Sequence, residues 1–513
     1  MKKYDVAIVG AGFGGLSSAL TLQSMGLSVV LIDSLDKVGG RAYTEVKDKF
    51  IFDRGPSIIT APFLIDDVFA MSGVSRENYC NFVPVDPYYK VVFHDNTSIS
   101  HYNSHEKLLD EVKRISPNEI DGVIAFFEQA DKIFQKGFLE LGDKSFSNVF
   151  SMLGVAPHLL KLNAVRPVYS LVSKFVKNEK LRQFLSFHPL LIGGNPFGAA
   201  GVYSLINRLE RAYGVFHPMG GMGVLADSFA KRFLEIGGQV FLSNQVQTIH
   251  KNSNDDFVIQ SNQNSFISKN LIINGDMKYF VDNILKDKAQ PKRLSRKLKR
   301  SNYSMSAFLM YFGTKKNWPH MPQHTIALGP RYEALLKDIF KHKTEFDDFS
   351  MYLHMPTRTD NSLAPEGGEV IYALVPVPNL ASRTDWTKYK SELSNQVIDL
   401  LEEKFLPGFK ESIVVQSTFT PVDFQSTLQS HLGNAFGLEP SLLQSAAFRP
   451  SNKSPEIPNL YFVGANTQPG AGLPGVLLSS RITCRLLAED IKLSIFPPAL
   501  AKMESSYNFV NQC

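Results

Sequence analysis

The sequence predicts an α/β fold: a Rossmann-type dinucleotide-binding domain woven from discontinuous segments, an inserted α+β substrate domain, and a helical, membrane-associating part. Three observations carry that expectation. A complete β-α-β unit with a glycine signature opens the chain. Two later segments repeat its grammar of buried strand, glycine-rich turn and helix. The stretches between them read as apolar helices and β-rich pieces. At 513 residues the chain holds about three domain-sized masses. We assign 1–75, 216–290 and 445–492 to the dinucleotide domain, 76–140 and 301–444 to the substrate domain, and 141–215 to the helical part.

Residues 5–9 (DVAIV) are an almost wholly apolar, β-branched run, as expected of a strand buried on both faces of a parallel sheet. Gly10, Gly12 and Gly15 follow as G-x-G-x-x-G, with Gly14 inside the motif. Leu16, Ala19, Leu20, Leu22 and Met25 then recur at helical spacing, and SVVLID (28–33) gives a second buried strand. The residue types have physical reasons. Gly10 allows the tight turn, Gly12 lets backbone approach a pyrophosphate, and Gly15 lets helix and strand pack closely. The phosphates would sit at the helix N-terminus, and Asp33, closing the second strand, can accept hydrogen bonds from ribose hydroxyls.

A second segment, 216–250, combines a glycine-rich turn, an amphipathic helix (Leu225, Phe229, Phe233) and the strand QVFL, and LIINGDMKYF (271–280) closes it. A third, 459–491, gives the strand YFV, a bend from Gly464 to Gly475, and a helix over 476–491 whose N-terminus favours negative charge. Between them, 76–215 is helical and SAFLMYFGT and GEVIYALVPVP read as strands.

NAD and FAD share the opening signature. The residues after Asp33, with Gly39, Gly40 and Arg41 followed by F-D-R-G-P (52–56), resemble the FAD-binding amine oxidase and carotenoid desaturase superfamily. That resemblance implies FAD. It implies that Gly39, Gly40 and Arg41 approach the flavin diphosphate, that the backbone of Val246 meets the adenine edge, and that Gly14, Gly55, Pro56, Asp276, Gly464, Gly472 and Pro474 belong to the cofactor site. Segments 190–223, 324–340, 349–380 and 462–476 look like the bacterial-type phytoene desaturases, and the likeness spans roughly residues 3–492. It implies an oxidoreductase that dehydrogenates phytoene stepwise toward lycopene, with quinone or oxygen as electron acceptor.

Phe187, Phe197 and Tyr203 are the expected walls of an apolar carotenoid channel. The chain departs from the family pattern at Ser151 and Gly154, where relatives carry an acid and an arginine, so no catalytic residue is assigned. It departs again at Asn466, Gln468 and Arg54. Arg331 and Arg449 read as flavin counter-charges or as salt bridges, and His217, His354 and His431 as structural histidines; no metal site is expected. Other readings stay open: a desaturase or oxidase of a C30 diapophytoene or a hydroxycarotenoid, an amine oxidase, or a non-enzymatic lipid-binding escort like the Rab GDP-dissociation inhibitors.

Charge is local. The chain has 54 Lys and Arg against 49 Asp and Glu, +5 overall, while residues 286–300 alone carry +7, so the rest sums to −2. The surplus is too thin for nucleic-acid binding. A solvated helix face explains the run, and so does a patch on an anionic membrane, worth about 1 kcal/mol per Lys or Arg. Three scattered cysteines build no disulfide framework and point to a reducing compartment. Since no apolar run is long enough to span a bilayer, the expected location is peripheral, on the cytoplasmic side of a membrane. Sequence leaves the oligomeric state open.

Overall fold

The computed structural model describes residues 2–146, 154, 156–346 and 348–493. Strand Lys3–Val9 lies in the middle of a seven-stranded sheet, parallel to Val29–Ile32 on one side and to Ser265–Ile273 on the other. Gln239–Phe241 extends the parallel part beyond Val29–Ile32. The first half of Ser265–Ile273 pairs antiparallel with Phe257–Ser261, which pairs with Val246–Lys251. Its last three residues pair in parallel with Leu460–Phe462.

The central strands are buried on both faces because helices cover both. Successive strand side chains alternate sides. Val6, Ile8, Val29 and Leu31 therefore pack among Leu16, Leu20, Phe229, Leu477 and Cys484, whereas Ala7, Val9, Val30 and Ile32 face Met277, Phe280 and Leu294. Helix Phe13–Ser24 lies between Met222–Glu235 and Leu473–Asp490, with Leu16, Ala19, Leu20 and Leu22 fully buried. Each buried leucine there contributes roughly 1.5–3 kcal/mol.

A second seven-stranded sheet runs Ile413–Phe419, Ser306–Thr314, Glu369–Val377, Met351–His354, His324–Ala327, Tyr89–Val92, Ser98–His101; only the pairing of His324–Ala327 with Tyr89–Val92 is parallel. Along Ser306–Thr314, Phe308, Met310 and Phe312 enter the largest apolar core, and Ala307, Leu309 and Tyr311 face the opposite side. Helices Ile120–Phe134, Val168–Val172 and Glu179–Ser186 supply Phe126, Val172 and Phe184 to that core. The first sheet thus takes its strands from 3–32, 239–273 and 460–462, and the second from 89–101 and 306–419. Among the described residues no helix is long and apolar enough to cross a membrane. The final helix begins at Leu473, three residues before the sequence expectation, because Pro474 stands in its first turn, where a missing N–H costs nothing.

Candidate functional site

One cavity of about 550 Å³ runs from the carboxyl ends of the parallel strands, at Val9, Ile32, Asn274 and Gly464, to the face of the second sheet carrying Ala307, Leu309, Tyr352, Tyr372 and Leu374. Strand ends of this kind are where an α/β sheet offers loops and helix N-termini to a ligand.

Glycine shapes its first end. A Cβ on Gly10 would stand 2.9 Å from Gly275 N, one on Gly14 2.5 Å from Asn274 Oδ1, and one on Gly40 3.0 Å from Gly12 Cα. Two helices begin there without side-chain caps, at Gly12 and at Gly472, leaving first-turn N–H groups for a ligand. Asp33 is nearly buried. Its Oδ2 accepts from Ala11 N (2.5 Å) and its Oδ1 from Leu35 N (2.8 Å), and burial pushes its carboxyl above the usual range. A carboxylate accepts about four hydrogen bonds, so it still has room for ribose hydroxyls. Arg41 is held by Ser430 Oγ at 2.8 Å and lines the cavity near Asp276. Asp276 caps the turn at Met277 by accepting from Tyr279 N (3.0 Å).

Of the expected cofactor residues, Gly10, Gly12, Gly14, Asp33, Gly39, Gly40, Arg41, Gly55, Pro56, Val246, Asp276, Gly464, Gly472 and Pro474 all line this cavity. Gly15 does not. It buttresses the turn from behind, where a Cβ would lie 2.0 Å from Gly10 O. A glycine-only cradle, two open helix ends, a strand-end acid and an arginine fit the diphosphate and ribose of FAD.

Among the expected channel residues, Phe187 and Tyr203 line the cavity, joined by Leu190, Leu191, Ile206 and Leu209. Phe197 is placed elsewhere. It is absent from the cavity wall because its ring packs on Tyr169 (4.4 Å between centroids) and Tyr332 (6.1 Å). Ser151 lies outside the described residues, and Gly154 is exposed.

Of the other departures, Asn466 and Arg54 also line the cavity. Asn466 Oδ1 accepts from Leu438 N (3.0 Å), and Gln468 pairs with both main-chain groups of Phe146 (2.9 and 3.0 Å). Arg54 lies over the Tyr311 ring at 4.2 Å and pairs with Glu45. Arg331 is on the surface, paired with Asp348 and Asp338. Arg449 does not line the cavity and forms no salt bridge among the described residues. Buried to 1% exposure, it donates to the carbonyls of Thr467 (3.0 Å), Gln444 (3.1 Å), Leu438 (3.1 Å) and Ala465 (2.6 Å), clamping the glycine-rich bend. His431 is half-buried against the Tyr303 ring (4.6 Å).

The partners of two buried acids were not legible in the sequence. Asp53, of the F-D-R-G-P motif, accepts from Met222 N (2.9 Å) and so caps helix Met222–Glu235; burial pushes its carboxyl up to about 6. Glu210 lines the cavity and is fully buried. Burial alone would raise its carboxyl, but His188 and His101 more than offset that and hold it down at about 2. Their partners lie far along the chain.

His217, His324 and His354 form a buried row, with ring centroids 4.7 Å apart for His324 and His354 and 6.4 Å for His217 and His354. Burial pushes His217 down to about 4, His324 to about 3, and His354 well below its usual value. The folded chain therefore stays neutral there, while the unfolded chain takes up protons near pH 6.5. These depressed histidines contribute stability that is present above pH 6.5 and lost as pH falls toward 4. The three histidines contribute up to about 4 kcal/mol per pH unit to that loss, opposed by the raised carboxyls of Asp53 and Glu369, so the test is a difference: in urea unfolding His324→Asn is expected to make stability fall less steeply with falling pH, by up to about 1.4 kcal/mol per pH unit.

Comparison with known proteins agrees with this geometry. The family model described as flavin containing amine oxidoreductase matches residues 13–488. The chain is 39% identical over 494 residues to the lycopene-forming phytoene desaturase of Pseudescherichia vulneris, covering 96% of this chain and 100% of the relative. It is 39% identical to that of Pantoea ananas (94% and 99% covered) and 35% identical to the neurosporene-forming phytoene desaturase of Rhodobacter capsulatus (94% of each). In fold it is similar to a putrescine oxidase solved with putrescine bound (TM-score 0.64, 14% identity, 96% and 99% covered) and to cyclohexylamine oxidase from Brevibacterium oxydans (TM-score 0.63, 15% identity, 96% and 100% covered). With a family match across nearly the whole chain and such relatives covered almost end to end, the protein belongs to the flavin containing amine oxidoreductases, in the branch of the phytoene desaturases.

Proposed function

We propose that this chain is an FAD-dependent carotenoid desaturase that dehydrogenates phytoene stepwise toward lycopene. The observation that carries the reading is that one cavity is lined both by the glycine cradle and by the apolar side chains of Phe187, Leu190, Leu191, Ile206 and Leu209. Bound FAD supplies the hydride acceptor that removal of hydrogen from a C–C single bond requires. The chain's own residues do the rest. The two uncapped helix ends, Arg41 and Asp33 hold the dinucleotide; the Rossmann-type sheet fixes them; the apolar wall excludes water and orients the polyene. The second sheet and the helices of 105–213 serve as the substrate side.

Lycopene as the end product is the reading that two lycopene-forming relatives at 39% identity support, a third lycopene-forming relative and two neurosporene-forming ones standing at 35%. In cells that accumulate phytoene, expression is expected to give red extracts with the absorption fine structure of lycopene. Colourless extracts, from cells whose protein holds FAD, would overturn the reading. Reoxidation is assigned to quinone or oxygen.

Membrane attachment belongs to the same reading, since the substrate partitions into bilayers. Helix Lys292–Lys299 turns Leu294 and Leu298 inward and leaves Lys292, Arg293, Arg296, Lys297 and Lys299 exposed. Arg293, Arg296, Lys297 and Arg300 share a groove with Leu443 and Phe448, which are 74% and 38% exposed. Basic groups for lipid phosphates beside apolar tips suit an anionic membrane surface on the cytoplasmic side. The protein is expected to float with anionic liposomes and release in high salt. Equal binding to neutral liposomes would contradict this patch as the contact.

A further inference from the structure

Helix Lys292–Lys299 and the residue that ends it carry Arg293, Arg296, Lys297 and Arg300 at spacings of three and four, so the four cations share one helix face. That face is one wall of a groove of about 460 Å³ whose other wall holds the exposed side chains of Leu443 and Phe448. No acid lines the groove, and among the described residues none of the four cations has a salt-bridge partner. Arg114 and Arg331, exposed like these, each have one. The acid at the start of the helix is already engaged: Glu456 accepts from Arg293 N (2.8 Å) and Leu294 N (2.9 Å).

Both walls are fixed. Leu294 and Leu298 bury the opposite face of the helix, which sets the direction of the basic face. Gln444 ties the apolar wall to the chain just past the helix, accepting from Asn302 N (2.7 Å) and donating to Asn302 O (2.9 Å) and Glu439 O (3.0 Å). The next residue, Ser445, has its Oγ 3.0 Å from Tyr203 OH, and Tyr203 lines the large cavity.

Four like charges around one recess repel unless an anion sits among them. A phosphodiester brings one negative charge to such a recess, and a phosphomonoester about 1.5–2 with three acceptor oxygens. Arginine suits the latter, since its planar fork pairs two of those oxygens at once. A free phosphate would leave Leu443 and Phe448 in water, while the glycerol and first acyl carbons of a lipid would cover them. We propose that the groove is a one-lipid site selective for a phosphomonoester headgroup, as in phosphatidic acid: the four cations hold the phosphate, and Leu443 and Phe448 meet the chains. This rests on the membrane reading above and deepens it, replacing a diffuse attraction with a stoichiometric contact. It also sets the bilayer beside the Tyr203 wall of the cavity.

The test uses holoenzyme and phosphatidylcholine vesicles doped either with phosphatidic acid or with twice as much phosphatidylglycerol, so that the surface charge is matched. Wild type is expected to bind the first about tenfold more tightly, the factor one further charge-assisted hydrogen bond is worth. Arg296→Gln combined with Arg300→Gln should lose that preference. Lys292→Gln combined with Lys299→Gln removes the same charge from the same helix outside the groove and should keep it. Diffuse attraction predicts that the two double variants behave alike. In calorimetry, dihexanoyl phosphatidic acid dispersed as monomers is expected to bind one per chain, about tenfold more tightly than inorganic phosphate. Equal binding of wild type to the two vesicles, or a preference that survives in the arginine variant, overturns the site. Equal affinity for the soluble lipid and for inorganic phosphate overturns the lipid as its occupant. Should the arginine variant fail to fold, the wild-type comparisons decide alone. Flotation with neither vesicle would overturn membrane attachment, and one-to-one binding of the soluble lipid would still uphold the site.

Discussion

Gly15→Ala is expected to purify without FAD and to unfold at a lower urea concentration than wild type. The added Cβ would stand 2.0 Å from the carbonyl oxygen of Gly10. That obstacle is backbone, so the helix Phe13–Ser24 must lift off its turn. Overpacking of this kind costs about 1–3 kcal/mol in ordinary cores, with the upper end expected where no side chain can yield. Lifting the helix also moves its open N-terminus and the Gly10 turn out of register with the diphosphate, so cofactor loss should exceed what the lost stability explains. Gly198→Ala is the control. Gly198 is exposed, and its Cβ would meet only Asn195 O at 3.9 Å. It should keep both the urea midpoint and the flavin-to-protein absorbance ratio of wild type.

The second large effect is expected at Arg449. Arg449→Met removes the donor to four carbonyls, three of which belong to the turns at Leu438, Ala465 and Thr467 around the cavity's bend. Each buried carbonyl left unpaired costs about 1–3 kcal/mol. We therefore expect a loss of roughly 4 kcal/mol or more in urea unfolding, together with reduced FAD content. Arg449→Lys should recover little, because an ammonium cannot reproduce a planar fork of donors. A Met variant as stable as wild type would show that the carbonyls find other partners.

How much was legible in the sequence follows from what each residue has to do. The glycine cradle was legible because backbone necessity leaves a mark no other residue type can imitate; a Cβ at Gly10, Gly14 or Gly40 has no room. The buried strands were legible for the same kind of reason, since burial on both faces permits only apolar runs. Arg449 was not. An arginine clamped by carbonyls leaves no partner acid to search for, and the expectation of a salt bridge fails on that point. The position of Phe197 outside the cavity lining was not legible, because an aromatic near a motif gives no information about the side to which its ring turns, and here it packs on Tyr169. Glu210 reads locally as an ordinary charge on an amphipathic helix. Its partners are 121 and 22 residues away at Tyr89 and His188, and only the fold brings them together.

The most direct measurement is a single turnover without air: oxidised holoenzyme mixed with phytoene in lipid vesicles, recorded for flavin and carotenoid absorbance together. The account predicts that the flavin absorbance bleaches as longer-conjugated carotenoid absorbance rises, two electrons taken up for each double bond introduced. Flavin that stays oxidised while phytoene remains unchanged would contradict it.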